Sequence, residues 1–346
     1  MKIFKTSLLA LIIMTPSISK GQASFSSNNI VVDNFKCTPD QNINFNLESL
    51  DSTGNLYLTL LSSWLAHEKE PSNRKKQLEA WGFERHINIL KDGYGHRGYL
   101  AETKDYTLIS FRGTQTKDDY ISNALFYQTD FSKELGIEGA KTHRGMAGVY
   151  RNAEKETFKA LQSLGISKSK PIIMTGHSLG GTLAILYGYK LKSQGYNIKA
   201  IYTAGSPKVG NKELAKEIEG KLSDRHFSVS MSSDITPMVP PAKTSALSFS
   251  SIISRNNKIL RSLIYNMVVG LDFVPTPGKH LKLFDTKEDS SLELNENLKE
   301  SEIAYWREIS TQLSDRSNLE QVVRFIQSRF VTHHPDYYIC GLNKLL

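Results

Sequence analysis

The ten residues from Ile172 to Gly181, I-I-M-T-G-H-S-L-G-G, constrain this chain more than any other stretch. The apolar half reads as a buried strand and the L-G-G half as the opening of a helix, with Ser178 at the corner. Gly176 and Gly180 lie two residues to either side, where a side chain would clash in so tight a turn. Such a corner pushes the serine hydroxyl out of the fold. A hydroxyl is a weak nucleophile on its own, so the remaining chain must supply a base, a group that orients the base, and donors for an oxyanion.

The apolar periodicities around this corner alternate. Leu56, Leu60, Leu61, Trp64 and Leu65 recur at helical spacing, and Met146, Val149, Tyr150, Ala153, Phe158 and Leu161 predict a second helix closing at Gly165. Residues 99–101 and 107–111 read as a hairpin about Thr103-Lys104-Asp105, and 118–126 as a short amphipathic segment. Residues 172–175, 198–203, 226–231 and 279–285 read as further strands, and 179–192 as the helix after the corner. The expectation is an α/β fold: a doubly wound, mostly parallel central sheet flanked by helices, in a single domain over 24–346. No internal repeat or second domain is visible.

A nucleophile elbow of this kind belongs to the α/β-hydrolase plan, where a serine is followed in chain order by an acid and then a histidine. Asp234 fits the acid, following a predicted strand and opening S-D-I-T-P-M-V-P-P; on position alone it is equally well an ordinary turn aspartate. The histidines after it are His280, His333 and His334. His280 falls inside a predicted strand, which favours a structural role. His333 and His334 precede Pro335, a residue suited to open a helix and leave a histidine on the loop before it. His177, beside the serine, is expected to point away from the hydroxyl and pack.

The chain begins with Lys2 and Lys5, an apolar run from Ser7 to Met14 and the small-residue site Gly21-Gln22-Ala23. This order predicts a cleaved secretory signal over 1–23 and a secreted or periplasmic protein. Removing Lys2, Lys5 and Lys20 would lower the formal charge from +8 to +5. No cluster of cations interleaved with aromatics suggests nucleic acid. Cys37 and Cys340 are the two cysteines; in an oxidising compartment they can pair, or remain two unrelated buried thiols, and their spacing does not make a zinc site.

Taken together, T-G-H-S-L-G-G, F-R-G-T followed by D-Y-I-S-N, T-H-R-G-M, T-A-G-S-P-K-V-G-N and S-D-I-T-P-M-V-P-P resemble the class 3 lipases, over roughly residues 80 to 241. The resemblance implies a serine hydrolase of lipid carboxylic esters, triacylglycerol or phospholipid, working at a lipid interface without metal or cofactor. It implies Ser178 as nucleophile, Asp234 as acid, and Thr114 with the N–H of Leu179 as oxyanion hole. For the base, the H-x-x-x-x-Y pattern of plant and many bacterial members selects His333 with Tyr338 and the H-x-x-Y pattern of fungal members selects His334 with Tyr337; His333 is the expected base and His334 its alternative. Fungal members carry a bridge between N-terminal and C-terminal cysteines, which Cys37 and Cys340 resemble. Residues 115–127 match a mobile segment of the family. Rival readings are an acyltransferase, an esterase of non-lipid esters, and a silent lipid-binding protein on the same fold.

The chain departs from that family after Pro241. A helical insertion near 242–275 places Phe249, Ile252, Ile253, Ile259, Leu260, Leu263, Ile264, Met267, Val268 and Leu271 on one expected helical face, with Arg255, Lys258 and Arg261 on the other. Such a helix can cap the core or lie in a lipid interface.

Overall fold

The computed structural model describes residues 30–32, 35–37, 45–91, 95–113, 127–254, 258–285, 290–314, 324–325 and 328–346. The expected signal segment and the amphipathic stretch 118–126 lie outside them. Among the described residues no helix is long and apolar enough to cross a membrane.

A small hairpin, β1 (Ile30–Val32) and β2 (Phe35–Cys37), precedes the main sheet. That sheet contains β3 (Arg85–Lys91), β4 (Gly95–Glu102) and β5 (Thr107–Phe111), followed after a second hairpin, β6 (Gln128–Asp130) and β7 (Lys141–His143), by β8 (Ile172–His177), β9 (Ile198–Ala204), β10 (His226–Met231), β11 (Lys279–Asp285) and β12 (Ser290–Leu294). The spatial order is β12-β11-β10-β9-β8-β5-β4-β3. The inner five, β5, β8, β9, β10 and β11, pair in parallel, and β3, β4 and β12 add antiparallel edges.

Side-chain alternation divides the core into two layers. Ile109, Ile172, Met174 and Ile201 face one cluster, while Leu108, Ile173, Ala200 and Tyr202 face the other. The helices Arg144–Leu164, Leu179–Ser193 and Lys212–Leu222 all pack into the first cluster. This corrects the doubly wound expectation. Strands β5, β8, β9 and β10 follow one another in a single direction across the sheet, so right-handed crossovers place every connecting helix on the same face. The opposite face is covered by two helices from near the ends of the chain, Thr53–Leu65 and Pro335–Asn343.

The Thr53–Leu65 helix starts where the Ser52 side chain accepts from the Asn55 N–H, a common N-cap arrangement. Its buried carbonyls take hydroxyls from the sheet: Thr175 Oγ1 donates to Thr59 O at 2.9 Å, and Ser110 Oγ and Tyr99 OH donate to Ser62 O at 3.0 Å. Thr175, Ser110 and Tyr99 therefore face the helix with their hydroxyls bonded. The Pro335–Asn343 helix carries Cys340, which is bonded to Cys37 of β2 across 303 residues of sequence. Both cysteines are buried.

The insertion is two helices, Ala246–Ser254 and Lys258–Val269, rather than one continuous apolar face. Phe249 and Ile252 are buried in one cluster with Trp306 and Ile309 of the Leu298–Ser314 helix and with Ile235. Val268 is buried in the same cluster, while Ile259 and Leu263 face outward. The expected face splits because the two helices pack against each other instead of running on. Glu302 anchors this unit: Oε1 accepts from Ala242 N at 2.7 Å and from Ser245 Oγ at 2.6 Å, and Oε2 lies 3.2 Å from Lys208 Nζ in a fully buried ion pair.

His226 of β10 and His280 of β11 form an edge-to-face pair, with ring centroids 5.8 Å apart. His226 Nδ1 lies 2.6 Å from the Pro277 carbonyl and Nε2 lies 2.9 Å from Thr203 Oγ1, while His280 Nε2 lies 2.6 Å from the Thr276 carbonyl. Burial pushes His226 down to about 3 and His280 down to about 4. His280 lies within a strand, as expected, and its ring is bonded there to the Thr276 carbonyl.

Two predictions follow from the packing. Because both folded pKa values are depressed, the unfolded chain takes up protons that the native rings refuse, so stability is full above about pH 6.5 and falls as pH drops toward 4. Urea unfolding should show a lower midpoint at acidic pH; an unchanged or raised midpoint contradicts the buried neutral pair. Replacing both cysteines by serine should lower unfolding free energy by about 2–5 kcal/mol, because the bridge restricts a very long loop in the unfolded state. An unchanged urea midpoint would show that the bridge is idle.

Candidate active site

Ser178 sits where β8 ends and the Leu179–Ser193 helix begins, at φ 57° and ψ −129°. Among the described residues it is the non-glycine residue held at positive φ, a conformation that costs energy and marks sites where the surroundings enforce it. The glycines permit the close approach. A Cβ on Gly176 would come within 2.1 Å of the Gly180 backbone. Ser178 N donates to Ala204 O at 2.9 Å, tying the corner to the end of β9.

The adjacent β10 ends three residues before Asp234, whose carboxylate is fully buried. Three donors converge on it. Thr236 N donates to Oδ1 at 2.7 Å, within the turn predicted from S-D-I-T-P, while His333 Nδ1 and Tyr338 OH reach Oδ2 at 2.7 Å and 2.6 Å. Tyr338 OH in turn accepts from Met231 N at 3.1 Å. Burial and the facing carboxylate hold the Tyr338 phenol well above its ordinary range, so it remains a donor. With Nδ1–H given to a carboxylate, the His333 imidazole keeps Nε2 as its acceptor.

His334 behaves differently. It caps the Pro335–Asn343 helix, and its Nδ1 lies 3.2 Å from Asp336 Oδ2. Of the two histidines left open by the sequence, the structure brings His333 to Asp234, together with the tyrosine five residues later. Pro335 opens the helix as expected and thereby fixes both His333 before it and Tyr338 within it.

His177 is buried and packs, as expected, but it also bonds: its Nε2 lies 2.7 Å from the His333 carbonyl, and the two rings lie 4.6 Å apart. A carbonyl only accepts, so this nitrogen carries the proton. Burial, followed by the neighbouring His333, holds the His177 imidazole well below the ordinary range. The ring is a neutral clamp on the loop that presents His333.

Gly205 is where these groups meet. It follows the residue that binds Ser178 N, has φ +57°, and a Cβ there would lie 2.9 Å from both Asp234 Oδ2 and His333 Nδ1. On the other side, a Cβ on Gly113 would lie 3.4 Å from the Ser178 Cβ, so the end of β5 abuts the serine. Leu179 is the first residue of its helix, where backbone N–H groups have no partner within the helix and the positive end of the dipole lies. Thr114, the other expected oxyanion donor, lies outside the described residues, as does the expected mobile segment 115–127 apart from the exposed Tyr127.

Sequence reasoning missed Gly205, Glu302 and the bonding role of His177. The G of T-A-G-S-P was visible, but its need for an empty Cβ position depends on groups 29 and 128 residues further along the chain. The Lys208–Glu302 pair joins the S-P-K loop to the inserted unit, and Glu302 lies in no recognisable motif. Burial lowers Lys208 from its ordinary range while the Glu302 charge opposes that shift.

Gly205→Ala is expected to reduce turnover by about 100-fold, since displacements near 1 Å at reacting groups have that scale of effect. Ester-hydrolysis kinetics with a circular-dichroism check of folding would test it. Near-unmodified activity would mean that the His333–Asp234 contact is not the working arrangement.

Part of the chain is similar to known lipases. Residues 108–244 match the family model for lipase (class 3). A lipase of Rhizopus niveus is 30% identical over 218 residues, covering 59% of this chain and 54% of the relative. Phospholipase A1-II 1 of Oryza sativa is 30% identical over 153 residues, covering 38% of this chain and 39% of the relative. The chain thus spans about half or less of the length of these curated relatives. The solved Rhizomucor miehei lipase in its propeptide complex superposes with a TM-score of 0.51 at 16% identity, covering 82% of this chain and 88% of that one, which is a likeness of fold. The stretch from β5 to the first residues of the insertion is thus similar to the class 3 lipases, and the sheet and its helices are consistent with an α/β-hydrolase fold.

Proposed function

We propose that the protein is an exported serine hydrolase of lipid carboxylic esters. The observation that best supports this reading is a conformationally strained Ser178 tied to Ala204, with a buried, triply bonded Asp234 and its partner His333 beside the next residue, Gly205. The family match supports ester hydrolysis as the chemistry, and the names of the relatives support triacylglycerol or phospholipid as the ester.

In this mechanism His333 Nε2 takes the Ser178 hydroxyl proton as the oxygen attacks the ester carbonyl. Asp234 keeps the Nδ1 proton in place and stabilises the imidazolium; Tyr338 and Thr236 hold the carboxylate against rotation. The Leu179 N–H and Thr114 receive the developing oxyanion. Collapse expels the alcohol, protonated by His333, and leaves an acyl-serine. Water, deprotonated by the same imidazole, then releases the fatty acid and restores the serine. No metal or cofactor has a step in this sequence. Export is supported by the N-terminal basic-apolar-small pattern and by the Cys37–Cys340 bridge, which persists in oxidising compartments.

Fatty-acid release from short-chain esters, triacylglycerol emulsion and phospholipid vesicles should vanish in Ser178→Ala. His333→Ala should lose about 10⁴-fold or more in turnover, whereas His334→Ala should stay within about tenfold. Equal losses in the two histidine variants, or loss confined to His334→Ala, would overturn the assignment of the base. No release from any ester by the folded, oxidised protein would overturn the lipid-esterase reading.

A further inference from the structure

Between Asp234 and Asp272 the chain carries Lys243, Arg255, Lys258 and Arg261 and no acidic residue. The two helices of this segment divide their apolar side chains unequally. Ala246–Ser254 turns Phe249 and Ile252 inward, with the Phe249 ring 5.0 Å from that of Trp306. Lys258–Val269 buries Val268 and packs Ile264 partly, but leaves Ile259 77% and Leu263 58% exposed. These two residues stand one turn apart on the same side of the helix. Lys258, also exposed, adjoins them in sequence. A β-branched residue and a leucine left in water on one helix face, next to an exposed lysine and in a segment whose sequence is basic and carries no acid, is the pattern of a helix that lies in a membrane interface.

The position of the helix favours the same occupant. Ile235, next to Asp234, belongs to the cluster that seats the first insertion helix. Beyond the second helix, Val274 N donates to Gly210 O at 3.1 Å, and Asp272 N reaches Gln128 Oε1 at 3.4 Å. The insertion is therefore fixed beside Asp234 at one end and to Gly210 and Gln128 at the other. A second copy of the chain fits poorly, because a face-to-face contact would bring two sets of like charges together.

We propose that the outer face of the Lys258–Val269 helix, centred on Ile259 and Leu263, docks the protein on anionic phospholipid surfaces. This rests on the lipid-ester reading and names the element and the lipid charge that would bring the site to its substrate. Apolar burial of the two side chains in the acyl boundary supplies depth, and the exposed Lys258 with the basic character of the segment supplies the preference for anionic headgroups.

The test uses the full oxidised protein with Ser178→Ala, so that lipid is not consumed, in co-flotation with phosphatidylcholine vesicles with and without phosphatidylglycerol. Stronger binding to the anionic vesicles, weakened by salt, is expected. Ile259→Glu with Leu263→Glu should weaken that binding about tenfold or more, and Lys258→Glu should weaken it selectively for anionic vesicles. Leu294→Glu, at a similarly exposed apolar position on β12, should bind as its parent does. Thermal unfolding of each variant shows that it is folded. Retained binding in the Ile259/Leu263 double variant, equal binding to both vesicle types, or the same loss in Leu294→Glu overturns the proposal. Sedimentation of the lipid-free protein as a dimer that only the double variant dissociates overturns it in favour of a second copy. Intact docking with no ester turnover by the unmodified protein would sink the esterase reading alone. Intact turnover with docking indifferent to Ile259 and Leu263 would sink this inference alone.

Discussion

A buried carboxylate must be satisfied by donors that stay in place, and in this protein much of the chain is arranged to satisfy Asp234. One donor comes from its own turn, through Thr236 N, and two come from the far end of the chain, through His333 and Tyr338. Losing any of them would leave part of a charge unpaired in a low-dielectric interior, at a cost of about 1–3 kcal/mol or more. The last helix is thus required by the site as well as by the core. It is secured three times: by Tyr338 bonding Met231 N, by the Cys340 bridge to β2, and by burial of Tyr338, Ile339 and Leu342 against the sheet.

The serine is positioned by a different kind of constraint. Its strained backbone is enforced by the parallel pairing of β8 between β5 and β9, by Ala204 accepting from Ser178 N, and by glycines that let the next turn of helix press against the strand. Strand pairing fixes the corner to within the tolerance of a hydrogen bond. The histidine, on a loop before the last helix, needs separate help, which comes from the His177 bond to its carbonyl. Rigid sheet and tethered loop meet at Gly205, where a single methyl group would intrude on the His333–Asp234 contact.

Local patterns in the sequence were enough to place the strands at 226–231 and 279–285, the helix opened by Pro335 and the elbow at Ser178, because each depends on short-range periodicity or turn chemistry. The single-sided placement of the crossover helices was not legible, because it depends on the order in which strands join the sheet. The insertion was misread as one face, since helical spacing alone does not reveal that residues 246–254 and 258–269 fold on each other. The sequence pointed to His333 through the tyrosine five residues on and left His334 as its alternative; the contact to Asp234 is made by His333. The Lys208–Glu302 pair was invisible: the two residues lie 94 positions apart, and neither carries a motif that points to the other.

The account predicts that Ser178, and no other hydroxyl, is activated by the His333–Asp234 pair. The direct measurement is mass spectrometry of the intact protein and its peptides after treatment with a long-chain alkylphosphonate p-nitrophenyl ester. Attack by the serine oxygen on phosphorus expels p-nitrophenolate and leaves a stable phosphonyl-serine. One adduct per chain, located on the peptide containing Ser178 and formed far more slowly in Asp234→Asn, is the predicted result. An adduct on another residue, or labelling of Ser178 at the same rate in Asp234→Asn, would contradict it.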